Sequence, residues 1–207
     1  MLEGARVAKN VIFDLGGVVI EWSPDRILEG YYADPGIRAV MKTALFQHPD
    51  WLQLDRGTLS EAELLVRLAT RTTRSASELA GLLDAVRASL HAKPDTVALL
   101  EKLNARGVPL YCLSNMSSDT FQYLRGRHSF WGVFRGIVIS GDIQLMKPER
   151  EIFELLLQRY GLQANETLFV DDHAPNIEAA RALGLHGVWF KDARQCEIEL
   201  EAMLTSH

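Results

Sequence analysis

Four short stretches of this sequence place polar side chains after apolar runs, three of them directly and one after a short connection. They are Asp14-Leu15-Gly16-Gly17, Ser114-Asn115, Lys147-Pro148 and Asp171-Asp172. Asp14 stands at the end of a β-rich run that predicts a buried strand, where an unpaired carboxylate costs several kcal/mol. We therefore expect a cation, a set of hydrogen-bond donors or open water beside Asp14. Taken alone, this stretch fits a turn at the surface equally well.

Together, these side chains suit the chemistry of a phosphoryl group and a hard divalent cation. Asp14 and Asp172 supply the oxygen ligands that Mg²⁺ prefers, and this ion is commonly held by one or two carboxylates together with a substrate phosphate. Ser114, Lys147 and the backbone N–H groups of a following helix are donors for the oxygens of an anion. A carboxylate can also act as a nucleophile and form an acyl phosphate.

Each of these residues has a simpler role when it is considered alone. Ser114 and Asp172 are both suitable helix N-caps, and Lys147 can be an ordinary surface lysine. Asn176 can cap or turn the chain at the start of a helix. The occurrence of the whole set after successive predicted strands is what favours the functional interpretation.

The sequence between these stretches predicts the elements that position them. Predicted strands lie at 11–14, 109–113, 136–140, 167–170 and 186–190, and the segments that separate the last four have helical periodicity. This alternation predicts an α/β fold, a Rossmann-like parallel sheet of about five strands with helices on both faces. Because ligands bind at the carboxyl ends of such strands, we expect the polar residues to gather at that edge.

The segment after the first strand has a different character, because it contains few β-branched runs. Ser60 and Glu63 form a capping box before one helical pattern, and residues 77–90 have apolar positions at helical spacing. We predict an α/β core formed by 1–22 and 94–207, with an all-helical cap inserted at 23–93. A cleft is expected between the two parts.

Composition argues against two classes of partner. The chain has 207 residues, 47% of them hydrophobic, and a formal net charge of −5, which argues against a nucleic acid or an acidic membrane surface as a partner. No apolar run approaches the roughly 20 residues of a membrane span. Residues 1–6 do not resemble a signal peptide, and Cys112 and Cys196 lack metal-ligand spacing, so we expect a cytoplasmic protein. The sequence makes no prediction of oligomeric state.

The four stretches resemble, in order, the four motifs of the haloacid dehalogenase (HAD) superfamily of hydrolases. The matching residues are Asp14 in Val-Ile-Phe-Asp-Leu-Gly-Gly-Val, Ser114 in Cys-Leu-Ser-Asn, Lys147 in Met-Lys-Pro-Glu, and Asp171-Asp172 in Phe-Val-Asp-Asp-His-Ala-Pro-Asn-Ile. The helical insert resembles the cap of that family. The resemblance is greatest to the subgroup of small sugar-phosphate phosphatases, such as α-glucose-1-phosphate phosphatase.

The resemblance implies a Mg²⁺-dependent phosphatase that hydrolyses a small phosphorylated metabolite, similar to a sugar phosphate, through an aspartyl-phosphate. Asp14 would then be the nucleophile. The implied metal ligands are the Asp14 carboxylate, the main-chain carbonyl of Gly16 and the Asp172 carboxylate. Asp171 would act on the metal through a water molecule or by contacting the residues that bind it.

The same resemblance implies how the phosphate is held. Ser114 and the backbone of Asn115 would bind phosphate oxygens. Lys147 would stabilise both the nucleophilic aspartate and the transferring group. We expect the cap to select the substrate, with His48, Trp51 and Asp55 as candidates to face the cleft, although Trp51 also suits the core of the cap.

Gly16 departs from the pattern of most phosphatases in the superfamily. They have a second aspartate at this position, which acts as general acid and base, a role typically worth ~10²–10⁴-fold in rate. The sugar-phosphate subgroup includes members that are similar to this chain in having glycine there. Glu21 is the nearest acid by sequence, and we name it as the candidate acid/base that substitutes for this aspartate.

Two other functions remain open at this point. A 2-haloacid dehalogenase uses the same aspartate to attack carbon without a metal, but that branch usually has an aromatic residue at the position of Gly16 and does not need the acidic pair Asp171-Asp172. A non-catalytic protein that binds a phosphorylated ligand on the same frame is supported by Gly16 alone. Metal dependence and turnover of a phosphate ester distinguish these alternatives from a phosphatase.

Overall fold

A single parallel sheet forms the centre of the fold. The computed structural model describes residues 8–204; residues 1–7, which belong to the predicted core and include the stretch compared with a signal peptide, lie outside this range, as do 205–207. The strands are β1 (Asn10–Phe13), β2 (Leu110–Ser114), β3 (Phe134–Ile139), β4 (Thr167–Asp171) and β5 (His186–Trp189). Their order is β3-β2-β1-β4-β5, and all pairs are parallel. The predicted α/β fold is confirmed.

The register of the central strands aligns their carboxyl ends. Phe13 of β1 pairs with Cys112 of β2 on one side and with Val170 of β4 on the other. The residues that follow these positions, Asp14 and Asp171 among them, therefore emerge at one edge of the sheet. The predicted site requires the carboxyl ends of the strands to meet at one edge of the sheet, and this alignment brings them together there.

The strands are buried on both faces, which explains their continuous apolar sequences. Val11 and Phe13 point into one apolar cluster, whereas Ile12 points into another on the opposite face, as expected from the two-residue period of a strand. Helices cover both clusters. The sheet is therefore a rigid support for side chains at its edge.

An all-helical segment follows β1, as predicted. Its helices are α1 (Pro24–Tyr31), α2 (Pro35–Met41), α3 (Pro49–Arg56), α4 (Glu61–Thr72) and α5 (Ala76–Ser89), with a π-helical turn at Lys42–Phe46. The capping box of Ser60 and Glu63 is present at the start of α4. These helices enclose an apolar cluster of their own, which includes Leu64, Leu68 and Leu79. The exact division into domains stays a prediction.

The chain enters and leaves this helical segment at one place, which we call the neck and define as residues 19–21 and 91–93. The N–H of Glu21 donates to the carbonyl of His91 at 2.8 Å, and the N–H of Lys93 donates to the carbonyl of Val19 at 2.8 Å. Ile20 and Ala92 form an antiparallel bridge. The two crossings therefore run side by side.

The remaining helices flank the sheet. They are α6 (Pro94–Ala105), α7 (Ser118–Arg127), α8 (Ser140–Ile143), α9 (Arg150–Tyr160), α10 (Ala174–Ala182) and α11 (Ala193–Met203), and short 3₁₀ segments lie at Phe130–Val133 and Ala164–Glu166. Lys147 and Pro148 precede α9, which begins at Arg150. Residues 146–149 form a turn, in which the N–H of Glu149 donates to the carbonyl of Met146. Within residues 8–204, no helix has the length and apolar character required to cross a bilayer.

Candidate active site

Asp14 is buried at the carboxyl end of β1. Its N–H donates to the carbonyl of Val170 at 2.9 Å, which fixes the backbone against β4. Its Oδ1 atom accepts the N–H of Leu15 at 2.7 Å and lies 2.8 Å from Nζ of Lys147. Burial raises the pKa of Asp14 to about 7, although the Lys147 ammonium acts in the opposite direction. The carboxylate is thus fixed in orientation, and added positive charge beside it would favour its ionised form.

Lys147 supplies positive charge at this edge of the sheet, and the residue is almost completely buried. Its Nζ contacts Oδ1 of Asp14 and donates to Oδ2 of Asp171 at 2.6 Å. Burial lowers the pKa of a lysine, but here the two carboxylates outweigh this effect and raise the pKa of Lys147. The side chain therefore stays charged beside Asp14.

Asp171 has both carboxylate oxygens engaged by neighbouring groups. Besides Lys147, it accepts hydrogen bonds from Nδ2 of Asn176, at 3.1 and 3.0 Å, and from the N–H of His173 at 2.8 Å. The sequence left Asn176 open between a cap and a turn, whereas the structure gives it this contact. Asp171 and Asn176 together orient Lys147 towards Asp14.

Asp14, Asp171 and Asp172 form an acidic cluster that suits a hard cation. Each offers one oxygen, and these atoms all lie within 4.8 Å of one another. Because Asp171 is engaged on both oxygens, Asp14 and the exposed Asp172 are the members best able to bind an ion. Partial desolvation of the Asp172 carboxylate and the charge of the nearby Asp171 raise the pKa of Asp172, so a cation would relieve repulsion between these groups. The oxygen donors fit Mg²⁺.

Gly17 leaves room for the Asp172 carboxylate. Its φ of 78° lies in the left-handed region, and a Cβ atom added there would overlap the side chain of Asp172. Gly16, predicted to contribute a carbonyl ligand, lines the same cavity as Asp14 and Asp172. The two glycines therefore leave space for the acidic cluster directly after β1. This space supports the fit of a cation among the carboxylates.

The phosphate-binding candidates lie at the end of β2. Ser114 is buried and lines the cavity beside Asp14. The side chain of Asn115 holds the backbone of Lys147 from both sides, since its Nδ2 donates to the Lys147 carbonyl and its Oδ1 accepts the Lys147 N–H, each at 2.8 Å. Asn115 thus positions the lysine, a role that the sequence-based interpretation, which concerned its backbone, did not include.

The helical segment forms one side of the cavity at this edge. The cavity has a volume of about 610 Å³ and includes Asp14, Ser114, Lys147 and Asp172 in its lining. Trp51 and Asp55 of α3 also line it, as the sequence suggested for residues facing a cleft. His48 has another role in the structure: its Nδ1 accepts the N–H of Asp50 at the start of α3.

Glu21 does not line the cavity that contains Asp14. It lines a second cavity, of about 540 Å³, together with His91 and Lys93 of the neck. Asp172 and Trp22 border both cavities, but Asp14 lines only the first of these two. The structure therefore brings together the other predicted site residues and does not bring Glu21 beside Asp14. The role suggested for Glu21 stays a prediction.

Contacts between α3 and the core fix the roof of the first cavity. Arg56 forms a two-armed ion pair with Glu149, one arm of which measures 2.9 Å from Nη1 to Oε2. The hydroxyl of Ser140 donates to the carbonyl of Asp55 at 2.5 Å. Both pairings join residues that are distant in sequence, so no local pattern could have revealed them.

Comparisons with known proteins agree with this architecture. A family model described as haloacid dehalogenase-like hydrolase matches residues 8–184. The chain is 29% identical over 196 residues to the sesquiterpene phosphatase AstK of Aspergillus oryzae, covering 95% of this chain and 96% of that protein. It is 28% identical over 120 residues to an (S)-2-haloacid dehalogenase of Pseudomonas putida, covering 57% and 53%. A HAD family enzyme of Bacteroides thetaiotaomicron, solved with magnesium and inorganic phosphate, shares the fold with a TM-score of 0.73 at 23% identity, covering 89% of this chain and 94% of that one.

Proposed function

This chain belongs to the haloacid dehalogenase-like hydrolase family, and we propose that it is a Mg²⁺-dependent phosphatase of a small phosphorylated metabolite. The observation that carries the proposal is the pairing of buried Asp14 with Lys147, at 2.8 Å, in a cavity that Asp172 also lines. Such a site offers a nucleophile, a fixed cation and a second carboxylate for a metal ion. These are the parts that phosphoryl transfer requires.

In the proposed reaction Asp14 attacks phosphorus and forms an aspartyl-phosphate as the ester P–O bond breaks. Ser114 donates to a phosphoryl oxygen, and Lys147 neutralises charge on both Asp14 and the transferring group. Water then hydrolyses the intermediate and restores Asp14. When bound, Mg²⁺ would add positive charge beside the phosphoryl oxygens and favour the ionised form of Asp14.

The main alternative is dehalogenation by the same aspartate. The fit of Asp172 against Gly17 supports the phosphatase, because a reaction that needs no metal gives no reason for that arrangement. The likeness to AstK, named a phosphatase, covers 95% of this chain and 96% of that protein. The Bacteroides enzyme, whose structure includes magnesium and phosphate, supports the same choice.

A non-catalytic binding protein is less well supported. Lys147 contacts the Oδ1 atom of Asp14 directly, and Asn115 and Asp171 both act on that lysine. Binding of a phosphate group alone requires cations and donors, but it does not require a carboxylate oriented beside them. An activity assay distinguishes the two functions.

The test is release of phosphate from a panel of small esters, including p-nitrophenyl phosphate and sugar phosphates. We expect turnover that needs Mg²⁺, stops with EDTA and is lost in Asp14→Asn. Asp25→Asn, which removes an exposed carboxylate of α1, is the matched control and should keep wild-type activity. Chloride release from a 2-chloroacid without metal, or phosphate binding without turnover of any ester, would contradict the proposal.

We propose a cytoplasmic phosphatase whose partner is the small phosphorylated metabolite. Both cysteines, Cys112 and Cys196, are free and buried, which is compatible with a reducing compartment.

A further inference from the structure

The distribution of side chains around the first cavity points to a class of substrate, and we infer that the enzyme hydrolyses phosphate monoesters of aliphatic alcohols in preference to those of sugars. This inference rests on the proposed function. Polar groups lie at the floor, at the edge of the sheet. The wall above them is built from apolar side chains, among them Trp22, Trp51, Leu52, Val86, Leu90 and Met146.

Aromatic rings form one side of this wall. Trp22, on the connection from the core, stacks on Trp51 of α3 with ring centroids 5.7 Å apart. Phe46 packs against both rings, at 5.7 and 5.0 Å. Part of the wall is accessible, since 37% of Trp22 and 55% of Leu52 are exposed. The leaving group would therefore meet apolar surface from both the core and the cap.

Polar groups near the wall already have partners. Arg56 pairs with Glu149, and the hydroxyl of Thr120 accepts a hydrogen bond from that of Ser117 at 3.0 Å. A sugar brings several hydroxyl groups, and each one buried without a partner costs free energy. An aliphatic chain has no such requirement and gains from leaving water.

The experiment compares n-alkyl phosphates from butyl to octyl with glucose 1-phosphate and glucose 6-phosphate. We expect kcat/KM to rise about fourfold per methylene until the cavity is filled, as burial of a CH₂ group predicts. Leu52→Asn should flatten this dependence, whereas Val66→Asn, at an exposed position of α4 outside the cavity lining, should leave it unchanged. Thermal unfolding checks that both variants are folded.

Two outcomes would overturn the inference in distinguishable ways. Faster turnover of the glucose phosphates with no dependence on chain length would remove the substrate class and leave the phosphatase intact. Absence of Mg²⁺-dependent turnover with every ester, including p-nitrophenyl phosphate, would overturn the phosphatase and the substrate class with it.

A separate observation concerns the acid that Gly16 cannot provide. We propose that Asp55 donates a proton to the leaving oxygen and then accepts one from water. Asp55 lines the cavity that contains Asp14, and Trp51 and the backbone of Ser117, which precedes α7, lie beside its carboxyl group. The Ser140 hydroxyl and the Arg56–Glu149 ion pair fix its backbone to the core.

The environment of Asp55 suits a proton donor. Burial raises the pKa of Asp55 to about 8, although its hydrogen bonds with Ser117 and Trp51 act in the opposite direction. The carboxyl group is therefore largely protonated at neutral pH, as an acid in this role must be. Glu21 lies in the other cavity and lacks this position.

The proton balance of the two steps is complete. As the bond from Asp14 to phosphorus forms, the ester P–O bond breaks and the departing oxygen takes the proton of Asp55, giving the free alcohol. Water then attacks the aspartyl-phosphate and passes a proton to the Asp55 carboxylate. Breaking of the bond to Asp14 releases phosphate and restores both acids.

The test uses Asp55→Asn with two esters that differ in their need for a proton. The alkoxide of octyl phosphate is a poor leaving group that needs a proton, so turnover of this ester should fall by ~10²–10⁴-fold. p-Nitrophenyl phosphate has a good leaving group, so we expect a rapid burst of p-nitrophenol followed by slow hydrolysis of the aspartyl-phosphate. Asp142→Asn, at an exposed carboxylate that accepts the hydroxyl of Ser118 at 2.5 Å, should retain wild-type kinetics.

A structural role for Asp55 would give a different result. Equal losses on both esters without a burst, or no loss on either, would overturn the assignment. Thermal unfolding and retained binding of inorganic phosphate verify that the variant is folded. Asp55→Glu provides a second measurement, because a proton donor at this place should restore part of the octyl phosphate turnover.

Discussion

The ammonium of Lys147 donates to the carboxylate of Asp171 at 2.6 Å, and both side chains are buried at the edge of the sheet. The same ammonium contacts Asp14, so one lysine compensates two buried acids. Removing it leaves two carboxylates with no cation between them. The pairing is thus important for stability as well as for the proposed chemistry.

Lys147→Met should abolish turnover and lower the free energy of unfolding by about 3 kcal/mol at pH 7, because it leaves uncompensated buried charge. Mg²⁺ should restore part of this loss, since a bound cation replaces some of the missing positive charge. Denaturant unfolding with Mg²⁺ and with EDTA measures both effects. An unchanged stability without metal would contradict the role assigned to the lysine.

Gly17→Ala should weaken the binding of Mg²⁺ by tenfold or more, because the new Cβ displaces the Asp172 carboxylate. Gly107→Ala is a matched control, since Gly107 has a φ of 79° and an added Cβ meets no atom within 4 Å. Both variants carry backbone strain of about 1 kcal/mol. A titration of the melting temperature with Mg²⁺ should differ from wild type only in Gly17→Ala, and an equal response in both variants would count against the site.

Asp50→Asn should destabilise the helical cap by about 3 kcal/mol at pH 7, because Asp50 is buried and paired with Arg67 at 3.1 Å and Arg71 at 2.7 Å. Burial opposes ionisation of Asp50, but hydrogen bonds from the two arginines outweigh it and hold the pKa of this carboxyl below its usual range. The stabilisation is therefore present above about pH 4 and is lost as the pH falls towards the folded-state value. The variant should lack this acid dependence.

The measurement for Asp50 is urea unfolding at pH 7 and at pH 3. Asp84→Asn is the control, since Asp84 pairs with Arg87 in solvent, where such a pair contributes about 0–1 kcal/mol. If both variants lose the same small amount at pH 7, the pairing of Asp50 is not important to the cap.

Asp55→Asn should change how stability depends on pH. Since the pKa of Asp55 is raised to about 8, the folded state binds its proton more tightly than the unfolded state. The associated stabilisation is complete below about pH 4 and is lost as the pH rises towards 8. Asp14, whose pKa is raised to about 7, acts in the same direction and remains in the variant.

The variant should therefore lose less stability than the wild type between pH 5 and pH 8. Melting temperatures at the two pH values measure this, with Asp142→Asn as the control for removal of a carboxylate. An identical decline in wild type and Asp55→Asn would show that the Asp55 proton is held no more tightly in the folded state than in the unfolded chain.

Much of the site could be predicted because strand ends are local features. Asp14, Ser114 and Asp171 each follow an apolar run, and a parallel sheet brings the ends of such runs together whatever the distance between them in sequence. The position of Asp55 depends instead on how α3 packs on the core, through Ser140 and the Arg56–Glu149 pair. No periodicity in the sequence contains that information.

Glu21 is the opposite case, a residue that is near Asp14 in sequence but lines a different cavity. It is close to Asp14 in the chain, but its N–H pairs with the carbonyl of His91 at 2.8 Å, so the backbone turns into the neck and its side chain faces the second cavity. Proximity in sequence was therefore a weak guide beyond the end of β1. Asn176 was left open for a related reason, since its bonds to Asp171 depend on the turn that starts α10.

The neck has a consequence for the history of the molecule. Because residues 19–21 and 91–93 run side by side, the ends of the inserted helices meet at one place on the core. A segment attached in this way can be lengthened, shortened or exchanged without redirecting the strands on either side of it. Evolution can thus revise the roof over the reaction centre as a separate module, and new specificities can arise while the catalytic frame is inherited unchanged.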